Sequence, residues 1–467
     1  MWNALFSAIM GMWIYIAIFI VLEVNTLKKI LSMIFVLAAI FCQGAFAAEV
    51  VGLGRYLELV KEGNHALRSN IRSVEAAYFG VLASVGYQRP RVDFSGSASY
   101  VTDQRIGLGN VPNRNLMTYG TTMALTQRID IAGTYTLDER QQILHYESQR
   151  ANFDNHVNSL LATAERTYWA AVWARENIVL QKDVLRQRRE NNRITEEKYR
   201  QQLVPRLDRI RSEAQVVAAE ALVTEAQTQY RNILANMMTL TGGVDVIPIE
   251  EPLVVPEFDV SVSLEKALAS RPDVRAANLA LERSEAIKKL TARGLSPTLT
   301  GSIRWTPWSE PWNSSSPQRR EVGASLTLNI PIFDGNTTRY STLNADRLAQ
   351  AAEANLQSVK NTIRSELIVA QNNWEMAEAL EQARKRQVER SDEELRITEL
   401  MYNEGMGAQI DLINAQTENQ RVRTDYLNAI QGMHAALVEL RRAVGDYAPN
   451  EDGTWREAVR RHGRGDN

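Results

Sequence analysis

At 467 residues the chain is long enough for two or three ordinary domains. Its 53 Lys+Arg nearly balance 55 Asp+Glu, so no polyanionic partner is implied and nucleic-acid binding is not expected. Only 13 Pro and 25 Gly occur, the glycines concentrated in strand-like and turn-like stretches, which leaves long tracts free of helix breakers.

Residues 1–47 read as a leader. Lys28 and Lys29 precede an apolar run from Ile30 to Phe41, and Ala45-Phe46-Ala47 supplies a small–x–small cleavage pattern. Met1 to Leu22 is uncharged and long enough to span a bilayer, so two readings stand: an inner-membrane anchor, or mis-assigned upstream sequence before a start at Val24. The second gives a signal peptide of ordinary length over 24–47 and is preferred. Cys42, the one cysteine, lies in this leader, so the mature chain is expected to have neither disulfides nor thiolate metal sites. Phe41 stands where a lipoprotein-type cleavage needs a small residue, so lipid anchoring is not expected.

The rest of the chain is one unit used twice. Arg193-Ile194-Thr195-Glu196 recurs as Arg396-Ile397-Thr398-Glu399, an offset of 203 that also pairs Tyr199 with Tyr402, Asp208 with Asp411 and Gly242 with Gly445. Upstream an offset of 207 pairs Arg68 with Arg275, Glu75 with Glu282 and Pro90 with Pro297. The first repeat covers 48–245. In it, 56–88 has helical spacing (Leu57, Val60, Leu67, Ile71, Val74, Tyr78), and Pro90 ends the helix. Residues 91–102 switch to period two, a polar loop follows over 103–117, and a second alternating stretch runs from Tyr119 to Ile131. A long helix is expected from Thr134 to Arg200, a turn at Leu203-Val204-Pro205, and a helix from Leu207 to Leu240. The second repeat, 246–445, places a helix over 264–293, strands over 298–306 and 321–333, a long helix from Thr337 to Glu404, a turn at Gly405-Met406-Gly407 and a helix to Val444. Residues 446–467 read as a disordered polar tail.

Lengths turn this order into an architecture. A helix of about 67 residues spans roughly 100 Å, and two of about 33 stacked end to end match it. The long helices lack membrane-grade hydrophobicity and are expected to be coiled coil, solvated on one face. The strands have the length a tilted strand needs to cross a bilayer. Their alternation (Leu299, Ile303, Trp305; Val322, Ala324, Leu326, Leu328, Ile330 against Ser, Thr, Asn and Gly) is that of a water-filled barrel. Four strands cannot close a wide pore, and open edges are not tolerated in lipid, so several chains must contribute. The fold class expected is an α+β membrane protein: an antiparallel helical barrel plus four transmembrane strands per protomer, tandem-duplicated.

The chain resembles the TolC-type outer-membrane efflux protein family over about 55–445. The residues that carry the likeness are Val262 to Leu268 with Arg271-Pro272-Asp273-Val274-Arg275, Leu295-Ser296-Pro297, Ile330 to Gly335, and Tyr402-Asn403-Glu404-Gly405 leading into Asp411-Leu412-Ile413-Asn414-Ala415-Gln416. The resemblance implies a homotrimer with a twelve-strand barrel in outer-membrane lipid and a periplasmic helical tunnel. It also implies a periplasmic adaptor and an inner-membrane pump of RND, ABC or MFS type, and no cofactor. Asp411 matches the first acidic position of the family's pore constriction, while Asn414 stands at the second. Tyr402 matches the family's latch tyrosine, but Gly407 stands where the latch arginine would be. Asp411 also fits an ordinary solvated charge in a first helical turn. The tips, Leu203, Val204, Pro205, Gly405, Met406 and Gly407, are where the family meets its adaptor, although Gly and Pro serve equally to reverse the chain. Trp305, Trp308 and Trp312 suit either a lipid–water interface or packing in the loop. Trp169 and Trp173 read as tunnel-wall packing. No HExxH, P-loop, GxSxG or Rossmann fingerprint occurs, so no enzymatic chemistry is expected. Two alternatives stay open: the exit duct of a type I protein secretion system, and a periplasmic coiled-coil scaffold without a pore.

Overall fold

The chain runs β1 (Glu49–Val51), α1 (Leu53–Gly63), α2 (His65–Gly86), β2 (Arg91–Asp103), β3 (Arg114–Ile129), α3 (Thr134–Arg200) and α4 (Arg206–Leu240). The same order then returns as β4 (Val246–Pro248), α5 (Leu264–Ser270), α6 (Pro272–Thr291), β5 (Thr298–Pro311), β6 (Glu321–Asn329), α7 (Thr337–Asn403) and α8 (Gln409–Val444). The structure, a computed structural model, describes residues 49–103, 114–250, 253–256, 263–311 and 321–448. The expected leader, Trp312 and all but the first three residues of the expected tail lie outside these.

α3 and α7 each run 67 residues without Gly or Pro. Each is started by an aspartate just upstream, Asp130 four residues before Thr134 and Asp334 three before Thr337. The Asp130 carboxylate accepts from Thr134 N (2.8 Å), Thr136 N (3.0 Å) and Thr136 Oγ1 (2.9 Å), and Asp334 accepts from Thr338 N (2.7 Å). Burial alone would raise the Asp130 pKa; the bonds from Thr136 and its neighbours outweigh it and hold the carboxyl below its usual value. At their far ends α4 and α8 stop at Gly242 (φ 76°) and Gly445 (φ 90°), the duplicated glycines taking the left-handed position that closes a helix.

The helices form a wall four columns wide. α3 lies between α4 and α2 on one side and α8 and α6 on the other, and α7 packs along α8 and α6. Each shorter column is therefore two stacked helices, as their lengths require. The expected single helices over 56–88 and 264–293 are both broken, and this corrects the sequence reading. Asn64 interrupts the first: its side chain accepts from Ala66 N (3.0 Å) and Leu67 N (3.1 Å), starting α2, and donates to Leu240 O (3.0 Å) at the end of α4. In the second, Pro272 lacks an N–H and opens α6 at its first position. The preceding Arg271 is buried, pairs with Asp273 (2.6 Å) and Glu366 (2.7 Å), and donates to Ala443 O (3.3 Å) at the end of α8. The two breaks are equivalent joints, each made where a stacked helix meets its partner. An apolar core around Tyr56, Val60, Tyr168, Val172 and Met237 fills the wall beside the first joint.

The strands form one antiparallel sheet in the order β2-β3-β5-β6, leaving β2 and β6 as open edges. Register puts Val92 and Phe94 beside Leu125 and Met123, these beside Ile303 and Trp305, and these beside Ala324 and Val322. One face is thus apolar across all four strands, and its large side chains are exposed. The other face carries Ser95, Thr122, Thr126, Ser302, Ser325 and Thr327, with Ser302 and Ser325 hydrogen-bonded at 2.7 Å. β5 runs past the expected end at Trp305–Thr306 because a bulge against β3 absorbs Pro307, where a missing N–H costs nothing. β6 stops at Asn329, short of the expected 333, because Pro331 cannot continue the ladder. A short parallel pair, β1 with β4, was not expected; it ties the start of one repeat to the start of the other.

Candidate functional site

The two helix–helix turns lie at the end of the wall farthest from the strands, and they are built alike. Leu203 N donates to Lys198 O at 2.9 Å, and the duplicated Met406 N donates to Met401 O at 2.9 Å. This bond needs a left-handed residue just before it, which is Gly405 (φ 77°) in one turn and Gln202 (φ 59°) in the other. The residues that follow are the apolar crowns of the two tips, Leu203 at 68% and Met406 at 74% exposure. Val204, Pro205 and Gly405 sit around them, partly or fully exposed. At Gly407 an added Cβ would lie 3.3 Å from both Met401 Cβ and Tyr402 N, so the turn is closed too tightly there to carry a long side chain without shifting.

Asp411 and Asn414 are exposed on the first turns of α8, and the duplicated Asp208 lies on the first turn of α4. Tyr402 is different. It is 5% exposed, inserted between the two hairpins rather than presented to solvent. Its hydroxyl lies 3.5 Å from Thr195 Oγ1 on α3, and Lys198 sits 4.1 Å from the ring centroid while donating to Tyr402 O (3.3 Å). Gln409 completes the contact by donating to Thr195 Oγ1 (3.3 Å) and Asp208 O (3.2 Å). Sequence reasoning found Tyr402 but not Lys198, Thr195 or Gln409. The structure therefore brings Tyr402 together with residues of the other hairpin and leaves Asp411 and Asn414 outside that contact.

Along the joint between α3 and α8 the chemistry changes with height. In the half nearer the strands, buried Glu165 pairs with Arg441 (3.2 Å) and accepts from the Tyr447 hydroxyl (2.7 Å), and Arg166 pairs with Glu439 (2.9 Å). Trp169 stacks on His434 with centroids 4.0 Å apart, and His434 Nε2–H donates to Val254 O (2.8 Å). Burial, against that hydrogen bond and with the charge of Arg441, holds the His434 pKa below its ordinary value. Trp173 is likewise buried. In the half nearer the tips, Gln420 donates to Gln181 (3.0 Å) and Arg188 to Gln416 (2.7 Å) and Thr417 (3.0 Å).

On the apolar sheet face Trp305 is 48% exposed beside Met123 and Val322, and past the bulge the backbone of Trp308 is in register with Thr121. Among the described residues, no helix is long and apolar enough to cross a membrane, and no group of His, Cys, Asp or Glu is spaced to hold a metal ion.

Comparison with known proteins agrees with this architecture. The model of the family described as outer membrane efflux protein matches residues 54–243 and 263–446, one match per repeat. Nodulation protein T of Rhizobium leguminosarum bv. trifolii is 25% identical over 417 residues, covering 85% of this chain and 86% of that protein. Among solved structures, a membrane protein from Pseudomonas aeruginosa superposes with a TM-score of 0.76 at 18% identity, covering 85% of this chain and 91% of the other. The Neisseria gonorrhoeae MtrE outer membrane channel in its open state gives 0.73 at 20% identity, with 84% and 88% covered. The chain belongs to the outer membrane efflux protein family, an outer-membrane channel protein with its helical wall in the periplasm.

Proposed function

We propose that three copies of this chain close into a twelve-strand barrel continued by a helical tunnel, and that the assembly is the passive exit duct of a tripartite efflux system. In this reading an inner-membrane pump of RND, ABC or MFS type, joined by a periplasmic adaptor, drives small molecules through it to the exterior. The single observation that carries the reading is the sheet, which has two open edges and one exposed face lined mainly by large apolar side chains. Lipid would leave both edges unsatisfied, and pairing β6 of one copy with β2 of the next removes them all. The outer columns of the wall agree, since α7 exposes Leu343, Leu348, Ile368 and Met376 and α4 exposes Ile210 and Val217, apolar flanks suited to a head-to-tail ring.

Asp411 and Asp208 would then line the narrow end, where closely spaced carboxylates favour cations. Leu203 and Met406 would form the apolar ridge met by the adaptor. The test is direct. The mature chain purified in detergent should run as a trimer and form ion-conducting pores in planar bilayers, and a water-soluble monomer would refute the reading. Asp411→Asn should move the reversal potential in a salt gradient toward weaker cation preference; an unchanged potential would return Asp411 to the role of a solvated helix charge.

A further inference from the structure

From Gln181 to the tips, ion pairs hold each hairpin together, and among the described residues none there joins the two hairpins. Within one hairpin Arg189 pairs with Glu220 (2.7 Å) and Arg209 with Glu196 (2.8 Å); within the other Arg423 pairs with Asp392 (2.8 Å). Between the two hairpins, from Gln181 to the tips, every described side-chain hydrogen bond ends on a neutral acceptor.

One residue in that joint carries a charge and is enclosed. Arg188 is 4% exposed, and among the described residues it has no carboxylate partner. Its acceptors are the Gln416 amide oxygen and the Thr417 hydroxyl. Burial lowers its pKa. A guanidinium offers five N–H donors and a full charge, and taking that charge out of water without a counter-ion costs free energy that two neutral acceptors offset only in part. The cost disappears when the hairpins separate and water reaches the guanidinium.

We propose that Arg188 is a positioning residue that keeps the α3–α8 joint marginally closed, its uncompensated buried charge setting how readily the two hairpins part. The inference rests on the duct reading, because parting matters only if it changes a passage.

Gln416→Glu tests it by placing a carboxylate where the amide oxygen now stands. In planar bilayers the variant should lengthen closed dwell times about fivefold, the ratio expected when a neutral acceptor on a charged donor becomes ionised. It should also melt at a higher temperature than the wild type. Adding Arg188→Gln to Gln416→Glu should reverse both effects, since the new carboxylate is then buried alone. Thr417→Asp offers the same compensation from the adjacent position should Gln416→Glu fail to assemble. Unchanged or shorter closed times, or an unchanged or lower melting temperature, overturn the proposal. Absence of any wild-type pore would refute the duct instead, and the melting comparison would still decide whether Arg188 lacks compensation.

Discussion

The joint between α3 and α8 is a single helix–helix contact with two kinds of chemistry. Near the strands it holds two ion pairs, a stacked Trp169–His434 pair and a buried Asn158 donating to Arg442 O (3.1 Å). Near the tips it holds amides, hydroxyls and Arg188 with neutral partners. Helix geometry is the same along its length, so the difference lies in what separation would cost. Parting the upper half breaks two ion pairs and exposes an apolar stack to water; parting the lower half exchanges hydrogen bonds for water at little net cost. The wall is thus firm at its middle and loose at its end, which is where an exit duct would need to change width.

This contrast can be broken by experiment. Glu165→Ala removes a buried partner of Arg441 and the acceptor of the Tyr447 hydroxyl and should cost about 3 kcal/mol, read as a lower unfolding midpoint in denaturant. A loss below about 1 kcal/mol would mean that the upper joint is no firmer than the lower. Acid should act on the upper half as well. His434 is held neutral in the folded chain and titrates near its ordinary 6.5 when unfolded, so the unfolded state binds the extra proton first. Stability should be complete above about pH 6.5 and fall as pH drops toward the depressed folded value. His434→Gln should flatten that part of the melting-temperature profile, and an identical slope would remove His434 from the account. The smallest effect is expected from Gln420→Ala in the lower half, about 0.5 kcal/mol. A cost as large as that of Glu165→Ala would erase the distinction between the halves.

Much of this fold was legible in the sequence, for physical reasons. α3 and α7 announce themselves because 67 residues lack a breaker, and the strands because alternation changes abruptly from period 3.6 to period two. The breaks at Asn64 and Arg271-Pro272 had local signals, an amide after Gly63 and a proline, but the apolar spacing on either side hid them. β1 and β4 are three residues each, too short to show a period. The site was less legible. Asp411, Asn414 and the tips are candidates singled out by duplication and resemblance, whereas the contact of Tyr402 with Thr195 and Lys198 joins residues more than 200 positions apart. Arg188 gives no sequence signal at all, because the absence of a carboxylate partner depends on the register of α3 against α8.

The central claim, that the four strands are a membrane-spanning wall with lipid on one side and water on the other, is tested most directly on β6. Leu326 and Thr327 are adjacent, Leu326 in register with Gly301 on the apolar face and Thr327 with Thr300 on the polar face. Single cysteines should be placed at each position in the protein reconstituted in bilayers. Thr327→Cys should react with a charged, water-soluble maleimide while Leu326→Cys is protected from it and reacts with a lipid-soluble probe. Equal reactivity at both positions would contradict the account.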